Sequence, residues 1–246
     1  EASHPGDLVV THLGETVREV PCERPGLVDL GELSVGGYGV AQPSTGASSA
    51  VQVCASASDR LRYGFVASFR PGKDARAVAR FARRLHLTGN QFYDWAYRHA
   101  DLLGGGEEYL DALDQPISLA TVRALIEALR AVGTRSIGYA AVYGVGNDEW
   151  EQWEDTALLD PVGEPYSLAD ILRIVDPAHP RWLAHFAADV AAAAREVGFD
   201  GFHLDQYGYP KAAVRPDGEI VDVASSFDTL IRGVREAVPG ATLVFN

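Results

Sequence analysis

Two hydrophobic patterns divide the chain near residue 60. Before that point, short β-prone runs at 8–11, 16–20 and 50–54 are separated by Gly, Pro and Ser clusters such as 43–46, and no helical periodicity is present. Short strands between turn-forming clusters are typical of antiparallel sheets. We therefore predict a small β-sandwich domain, or part of one, over residues 1–60.

After residue 60, strand-like and helical patterns alternate. Five apolar strands are predicted to end near Phe69, Trp95, Val142, Asp205 and Asn246. Helical periodicity covers the intervals 74–85, 119–132, 180–197 and 225–238. Near-continuous apolar strands that alternate with helices predict an α/β fold with a parallel sheet.

The number of strand–helix units bears on which parallel-sheet architecture this is. A (β/α)8 barrel needs eight units in about 250 residues, and residues 61–246 supply five strands. Long loops follow the second and third strands, and such insertions build the active-site rim of a barrel. We expect the N-terminal part of a (β/α)8 barrel, incomplete in this chain with strands 1–5; a doubly wound open sheet is the alternative.

Charge limits the classes of partner. The formal net charge is −13, and no Lys/Arg cluster forms a basic face, so we expect no nucleic-acid partner. A neutral ligand such as a glycan fits this balance better than an anionic one. No apolar run reaches 18 residues, so no membrane span is predicted, and no signal peptide lies at the start of the sequence.

Cys22 and Cys54 are the two cysteines of the chain. Neither has a His or Cys neighbour at metal-ligand spacing, so no metal site is predicted. They could form one disulfide bond or remain two thiols. We favour free thiols, because nothing in the sequence fixes the Cα separation that a disulfide needs.

The segment 198–205 is the most informative part of the chain. Gly198 can adopt the left-handed conformation that ends the preceding helix, and Phe202 and Leu204 bury the strand that follows. Asp205 then lies at the carboxyl end of that strand, where barrel enzymes carry their chemistry. Asp205 is therefore the predicted catalytic carboxylate; an Asp that only begins a turn is the alternative.

Aromatic and polar side chains lie at the ends of the other strands as well. Aromatic rings stack on the C–H faces of pyranoses, while Asp, Asn and His side chains hydrogen-bond sugar hydroxyls, so the pattern indicates a sugar site. His203 could instead be a satisfied interior histidine, Trp153 a packing anchor, and 148–155 a solvated acidic loop. The candidate substrate-binding residues are Asp94, Tyr97, Tyr139, Tyr143, His203, Gln206 and Asn246.

Motifs of other enzyme classes are missing. The chain has no Gly-x-Ser-x-Gly elbow, no His-Glu-x-x-His and no Walker loop, and the glycines at 104–106 do not open a helix. Glycoside chemistry by carboxylates is the class that the residues support best, and it needs no cofactor.

Three segments, 91–99, 139–143 and 198–205, together resemble glycoside hydrolase family 66. This family contains dextranases and cycloisomaltooligosaccharide glucanotransferases. The first and last segments are fairly specific together, whereas the motif at 198–205 alone is also similar to α-amylase-type families. The resemblance covers about 62–246, and the preceding residues look like the family's immunoglobulin-like N-terminal domain.

The resemblance implies a secreted enzyme that hydrolyses or transglycosylates α-1,6-glucan with retention. Asp205 matches the family's nucleophile on strand four, Asp94 and Tyr97 match positions that line the −1 sugar subsite, and Asn246 matches a hydroxyl-binding residue. The family's acid/base glutamate lies on strand six, and no Glu of this chain can be assigned that role. The chain is therefore expected to be an inactive fragment of a dextranase-like endo-α-1,6-glucanase.

Three alternatives stay open at the level of sequence. The first is a cyclising isomaltooligosaccharide transglycosylase, which differs from a hydrolase in its acceptor. The second is a non-catalytic glycan-binding protein built on a partial barrel. The third is an amylase-type enzyme that acts on α-1,4 bonds through the same strand-four Asp.

Overall fold

The structure of the protein, a computed structural model, describes residues 1–56 and 61–246. The chain divides into two compact units, Glu1–Leu61 and Arg62–Asn246. This boundary coincides with the change in hydrophobic pattern, because the short alternating runs and the strand–helix alternation build separate cores.

The first unit consists of one antiparallel sheet with the strand order β2-β1-β3-β4. Its strands are β1 (Leu8–His12), β2 (Glu15–Val20), β3 (Gly36–Gln42) and β4 (Ala47–Val53). The described residues of this unit form this single sheet, and the β-sandwich, or part of one, stays a prediction. Nearly every residue of β4 is exposed.

Cys22 and Cys54 are free thiols, as the sequence analysis favoured. Cys22 is buried, and its Sγ lies 3.2 Å from the carbonyl oxygen of Arg24. Within the described residues, no group of three or more His, Cys, Asp and Glu side chains is arranged to hold a metal ion.

The second unit alternates strands with helices, which confirms the predicted α/β fold with a parallel sheet. No helix in the described ranges is long and apolar enough to cross a membrane. Its elements in chain order are β5 (Tyr63–Val66), α1 (Ala75–Arg84), β6 (Gly89–Phe92), β7 (Glu108–Leu110), β8 (Pro116–Ser118), α2 (Leu119–Arg130), β9 (Arg135–Ala141), β10 (Gly144–Gly146), β11 (Ser167–Leu168), β12 (Leu172–Ile174), α3 (Pro180–Glu196), β13 (Gly201–Asp205), β14 (Ala212–Val214), β15 (Ile220–Asp222), α4 (Val223–Ala237) and β16 (Thr242–Phe245).

The parallel sheet has the order β5-β6-β9-β13-β16, which follows the order of the strands in the chain. A doubly wound sheet reverses its strand order at a switch point, and this sheet does not. Right-handed strand–helix–strand connections that all proceed in the same direction place the helices on one face of the sheet, as in part of the wall of a barrel. β5 and β16 do not pair with each other, so the described residues contain no closed barrel, and the (β/α)8 architecture stays a prediction.

Aromatic rings fill the core between the sheet and its helices. The ring of Phe92 stacks on Phe69 at a centroid distance of 5.5 Å and meets Phe199 edge-on at 5.4 Å. Phe199 also contacts Trp95 at 4.7 Å and Phe202 at 5.8 Å. Phe202 is fully buried, so side chains at alternate positions of β13, such as His203, are directed to the opposite face of the sheet.

The segment before β13 fixes that strand between its neighbours. Gly198 has a φ of +93° just after the C-cap of α3, as predicted for a residue that ends the helix. Asp200 Oδ2 accepts a hydrogen bond of 2.9 Å from the backbone N–H of Ser136. A Cβ on Gly201 would lie 2.0 Å from the carbonyl oxygen of Thr242, so only glycine permits this close pairing with β16.

We expect Phe202→Ala to lower the free energy of unfolding of the second unit by about 3–5 kcal/mol, because the change opens a cavity in a fully buried aromatic cluster. Phe81→Ala on α1 is the matched control, since that ring is 62% exposed, and it should stay within about 0.5 kcal/mol of the wild type. Urea unfolding followed by circular dichroism measures both. Equal losses in the two variants would contradict the assignment of the core.

Candidate active site

The register of the parallel strands gathers four side chains at one edge of the sheet. β13 pairs with β9 so that His203 lies beside Tyr139 and Asp205 beside Ala141. On the other side Leu204 pairs with Phe245, so Asn246 follows directly beside Asp205. Parallel strands end at the same edge of a sheet, and Tyr139, His203, Asp205 and Asn246 therefore meet on the face opposite Phe202.

Asp205 is held by donors from both neighbouring strands. Tyr139 Oη donates to Asp205 Oδ2 at 3.0 Å, and Asn246 Nδ2 donates to Oδ1 at 2.6 Å. The carboxylate remains 18% exposed. No Lys or Arg in the described ranges forms an ion pair with it. The arrangement leaves a fixed, accessible carboxylate that still has unused acceptor capacity, as a nucleophile needs.

The imidazole of His203 contacts two tyrosine rings. Its centroid is 5.9 Å from that of Tyr63 and 6.4 Å from that of Tyr139, in stacked orientations. Tyr63 Oη lies 3.1 Å from Nδ1, and Nε2 lies 3.9 Å from Asp205 Oδ1. Burial lowers the pKa of His203, and the charge of Asp205 opposes this shift only partly, so the ring is neutral at neutral pH.

Asp205 opens into a cavity beside the sheet edge. The cavity is also lined by Asp94 and Tyr93 from the loop after β6, and by apolar side chains such as Leu172. A cavity that combines aromatic and apolar walls with a few convergent polar groups is the usual form of a small-molecule site. Of the predicted residues, the structure brings Asp94, Tyr139 and Asp205 together here.

The backbone and the electrostatics of Asp94 are both unusual. Its φ of +50° is left-handed, a conformation that Asp and Asn tolerate better than most residues. Burial raises the pKa of Asp94 to about 6, and the negative charges of Asp111 and Asp205 add to the shift. Asp94 therefore holds a proton at mildly acidic pH, and it lines the same cavity as Asp205.

Three other predicted residues lie near the cavity without lining it. The Tyr97 ring packs edge-on against Tyr109 at 5.6 Å, with the Arg98 guanidinium 4.2 Å above it. Tyr143 is fully buried; its Oη donates to the carbonyl oxygen of Tyr209 at 2.7 Å, so the residue anchors a loop. Gln206 Nε2 donates to the backbone oxygen of Asn246 at 2.6 Å and braces the end of β16.

Two cavity residues from loops, Tyr207 and Asp111, are not among the candidate substrate-binding residues of the sequence analysis. Tyr207 follows Asp205 and lines the cavity, and Asp111 lines it from the loop between β7 and β8. Asp111 Oδ1 accepts the backbone N–H groups of Leu113 and Gln115, each at 2.8 Å. In sequence this is an ordinary turn-forming Asp, so no local signal marks it as part of a site.

The acidic loop 148–155 is solvated at some positions and buried at others, whereas the sequence favours a solvated run throughout. Glu149 is buried, and its Oε2 accepts backbone N–H groups of Ala100 at 3.2 Å and Gly146 at 3.3 Å. Burial raises its pKa to about 7. Trp153 packs against Trp182 at 5.0 Å, as expected of a packing anchor. Glu149 thus ties together two loops that border the site.

Comparisons with known proteins agree on one family. Residues 37–246 match the family model described as glycosyl hydrolase family 66. Two relatives from Niallia circulans are cycloisomaltooligosaccharide glucanotransferases. The first is 26% identical over 200 residues, which are 74% of this chain and 21% of the relative. The second is 25% identical over 211 residues, which are 78% of this chain and 22% of the relative. The chain therefore spans about a fifth of their length.

Solved structures support the fold. One match is the structure of a cycloisomaltooligosaccharide glucanotransferase from Paenibacillus sp., complexed with cycloisomaltoheptaose. Its TM-score is 0.81 at 20% sequence identity, and the match covers 100% of this chain and 41% of the Paenibacillus chain. A second match is a maltogenic α-amylase from Thermotoga neapolitana, with a TM-score of 0.54 at 10% sequence identity. This match covers 77% of this chain and 46% of the amylase chain. At these identities the likeness concerns the fold alone. The family-model match over 37–246 shows that the chain belongs to glycosyl hydrolase family 66.

Proposed function

We propose that the chain carries the nucleophile of a retaining glycoside hydrolase or transglycosylase of the dextranase type. The observation that carries this proposal is the Asp205 carboxylate, fixed by Tyr139 and Asn246 at the carboxyl edge of the parallel sheet and open to the cavity. We propose neutral α-1,6-glucan as its substrate, in line with the family, and a secreted enzyme with a (β/α)8 barrel as the whole protein.

In the proposed reaction, an oxygen of Asp205 forms a bond to the anomeric carbon as the glycosidic C–O bond breaks. The leaving oxygen takes a proton from an acid, and a glycosyl ester remains on Asp205. Water or a glucan hydroxyl then attacks the same carbon, loses its proton to the conjugate base and releases the carboxylate. Tyr139 and Asn246 keep the attacking group oriented, so little of its motion has to be frozen during the reaction.

Asp94 is proposed to bind hydroxyls of the same sugar unit. It shares the cavity with Asp205, and its partial protonation near pH 6 lets its carboxyl donate as well as accept hydrogen bonds. Tyr93, whose ring meets Tyr139 at 5.2 Å and is 44% exposed, offers an aromatic face beside it. Tyr97 does not belong to this group, because its ring is engaged by Tyr109 and Arg98.

The proposal assigns the acid/base role to no carboxyl of this chain. A retaining mechanism needs a second carboxyl about 5–5.5 Å from the nucleophile, on the leaving-group side of the bond. Asp111 is bound to the backbone of its own turn, and Asp94 is assigned to the sugar hydroxyls. Such a site reacts with substrates whose leaving group departs without protonation, while unactivated glucan reacts roughly 10²–10⁴ times more slowly than with an acid present.

Cyclising transglycosylation is the second candidate function. It is favoured by the two relatives from Niallia circulans, because both are named cycloisomaltooligosaccharide glucanotransferases. The two functions share the nucleophile and the glycosyl ester and differ in whether water or the chain's own hydroxyl accepts the sugar. Product analysis therefore separates them, whereas a non-catalytic glycan-binding protein would form no ester at all.

We expect the chain to form a glycosyl ester with α-isomaltosyl fluoride, because fluoride leaves without an acid. Wild-type protein should release fluoride, and mass spectrometry should find the added isomaltosyl group on the peptide that contains Asp205. Asp205→Asn should abolish both signals, whereas Asp228→Asn, an exposed carboxyl on α4, should retain them. Ester formation at the wild-type rate in Asp205→Asn would refute the proposal, and preference for maltosyl fluoride would indicate an amylase-type enzyme instead.

Asp94 should make the protein less stable as the pH rises from about 4 to about 6. Its pKa of about 6 in the folded state exceeds the value of about 3.9 in the unfolded chain, so the folded state binds more protons within that window. Asp94→Asn, which tolerates the left-handed backbone, should lose this part of the pH dependence. Urea unfolding at several pH values measures the difference, and parallel curves for the two proteins would contradict the buried charge.

Asp111→Asn should lower the pKa of Asp94, because the charge of Asp111 is a cause of the shift. Carboxyl ¹³C NMR of Asp94 follows the titration in each variant. Asp228→Asn again serves as the control, since its charge is paired with Arg232 on the exposed surface of α4. An unchanged titration of Asp94 in Asp111→Asn would contradict a contribution of Asp111 and leave burial and the charge of Asp205 as the causes.

A further inference from the structure

We propose that Tyr143 is a positioning residue for substrate binding. Its hydroxyl holds the turn that follows Asp205, and this places the Tyr207 side chain in the cavity wall, where it contacts the sugar. The inference deepens the proposed function and rests on it. Tyr143 itself does not line the cavity, so its role is indirect and replaces the direct sugar contact that the sequence predicts.

The turn after the nucleophile is tied to both neighbouring strands. The chain leaves the sheet after Asp205, so the next backbone groups lose their strand partners and need others. The N–H of Gln206 donates to Asn246 Oδ1 at 3.0 Å, directly after β16. The N–H of Tyr207 donates to Tyr143 Oη at 3.0 Å, just beyond the end of β9. Tyr143 therefore fixes the turn on the β9 side.

The backbone partners of the Tyr143 hydroxyl fix the direction of both its hydrogen bonds. The Tyr207 N–H can only donate, and the Tyr209 carbonyl oxygen can only accept. The hydroxyl therefore accepts from the first at 3.0 Å and donates to the second at 2.7 Å. One hydroxyl thus bridges two backbone positions of the turn, and its single proton is not available to a sugar.

Packing makes Tyr143 a fixed point for this turn. Its side chain is fully buried, and its ring meets Phe227 of α4 edge-on at 5.1 Å. Its carbonyl oxygen accepts the N–H of Val175 at 3.0 Å. The ring also stacks on that of Tyr207 at 5.4 Å. A turn held in place before substrate arrives loses less conformational entropy on binding, so the positioning favours affinity.

Tyr207 is the side chain through which the positioning reaches the substrate. It lines the cavity together with Asp205 and Tyr139. Burial raises the pKa of Tyr207, so its hydroxyl keeps its proton and can donate to a sugar oxygen. Asp205 receives its own hydrogen bonds from Tyr139 and Asn246. A displaced turn should therefore weaken sugar binding more than it changes the nucleophile.

A role in packing alone predicts a different result. Tyr143→Phe keeps the ring and its two ring contacts, so a packing residue would leave sugar affinity unchanged, even where stability falls. A positioning residue would lower the affinity, and only while the Tyr207 side chain is present. The matched control is Tyr38→Phe in the first unit, where the lost hydroxyl also donates to a backbone carbonyl oxygen, that of Ser34, at 2.9 Å.

The first measurement is the dissociation constant of isomaltose, determined by calorimetry. Tyr143→Phe should raise it about 2–10-fold, the range expected for the loss of one hydrogen bond, and Tyr207→Ala should raise it at least as much. The double variant should bind no more weakly than Tyr207→Ala, because Tyr143 acts through Tyr207. Tyr38→Phe should match the wild type.

Four results of this titration would overturn the inference. They are an unchanged dissociation constant in Tyr143→Phe, losses that add in the double variant, an unchanged constant in Tyr207→Ala, and no binding of isomaltose by the wild type. The result for Tyr207→Ala decides the matter even where Tyr143→Phe does not fold, because it tests the sugar contact directly.

The second measurement is the rate of ester formation on Asp205 at increasing concentrations of α-isomaltosyl fluoride. In Tyr143→Phe the half-saturating concentration should rise about 2–10-fold, whereas the rate constant at saturation should change less than about 2-fold. The opposite pattern, a lower rate constant at an unchanged half-saturating concentration, would overturn the assignment of Tyr143 to binding.

The two measurements separate this inference from the proposed function. If wild-type protein forms no ester, the proposed function fails, and the isomaltose titration still decides the role of Tyr143. If the ester forms on Asp205 and Tyr143→Phe binds isomaltose as tightly as the wild type, the nucleophile stands and the role of Tyr143 is rejected.

Discussion

The register of β13 between β9 and β16 is the constraint on which the site depends. Asp205 obtains one hydrogen bond from each neighbouring strand, from Tyr139 and from Asn246, and both require that the three strands end together. Asp200 and Gly201 set this register at the other end of β13, through a bond to Ser136 N–H and a close approach to Thr242. A slip of one residue would direct Asp205 to the helix side of the sheet and bring Leu204 into the cavity.

The same regularity explains how much the sequence could predict. Side chains on a strand alternate with a period of two, so Asp205 and His203 share a face whatever the loops do, and Tyr139 on the adjacent strand joins them. Strand ends can be recognised from apolar runs, and this places Asp205 correctly. Tyr63 has the same face and was still overlooked, because its hydroxyl reaches His203 through a long side chain and not through strand adjacency.

Loops obey no such period, and there the sequence is less informative. Tyr97 lies three residues from Asp94, yet the loop turns it onto Tyr109, and Asp111 enters the cavity from a turn with no distinguishing pattern. Glu149 sits in an acidic stretch but is buried, because two backbone N–H groups bind its carboxylate. In the first unit, alternation predicted β1, β2 and β4, but not β3, whose glycines read as a turn-forming cluster in the sequence.

Three carboxyls, Asp94, Asp111 and Asp205, line one cavity whose other walls are largely aromatic and apolar. Arg98 and His99 line it as well, and the Arg98 guanidinium forms an ion pair with Asp148. The mutual repulsion and burial of the three carboxyls are costly in the ground state, as the raised pKa of Asp94 shows. In glycoside cleavage, however, positive charge develops on the sugar ring in the oxocarbenium-like transition state. A cavity with fixed negative charge stabilises that state more than the neutral substrate, so the strain among the carboxyls is relieved when the ring becomes cationic. The same electrostatics disfavour an anionic ligand, which agrees with the overall charge of −13 and with the neutral sugar proposed as the substrate.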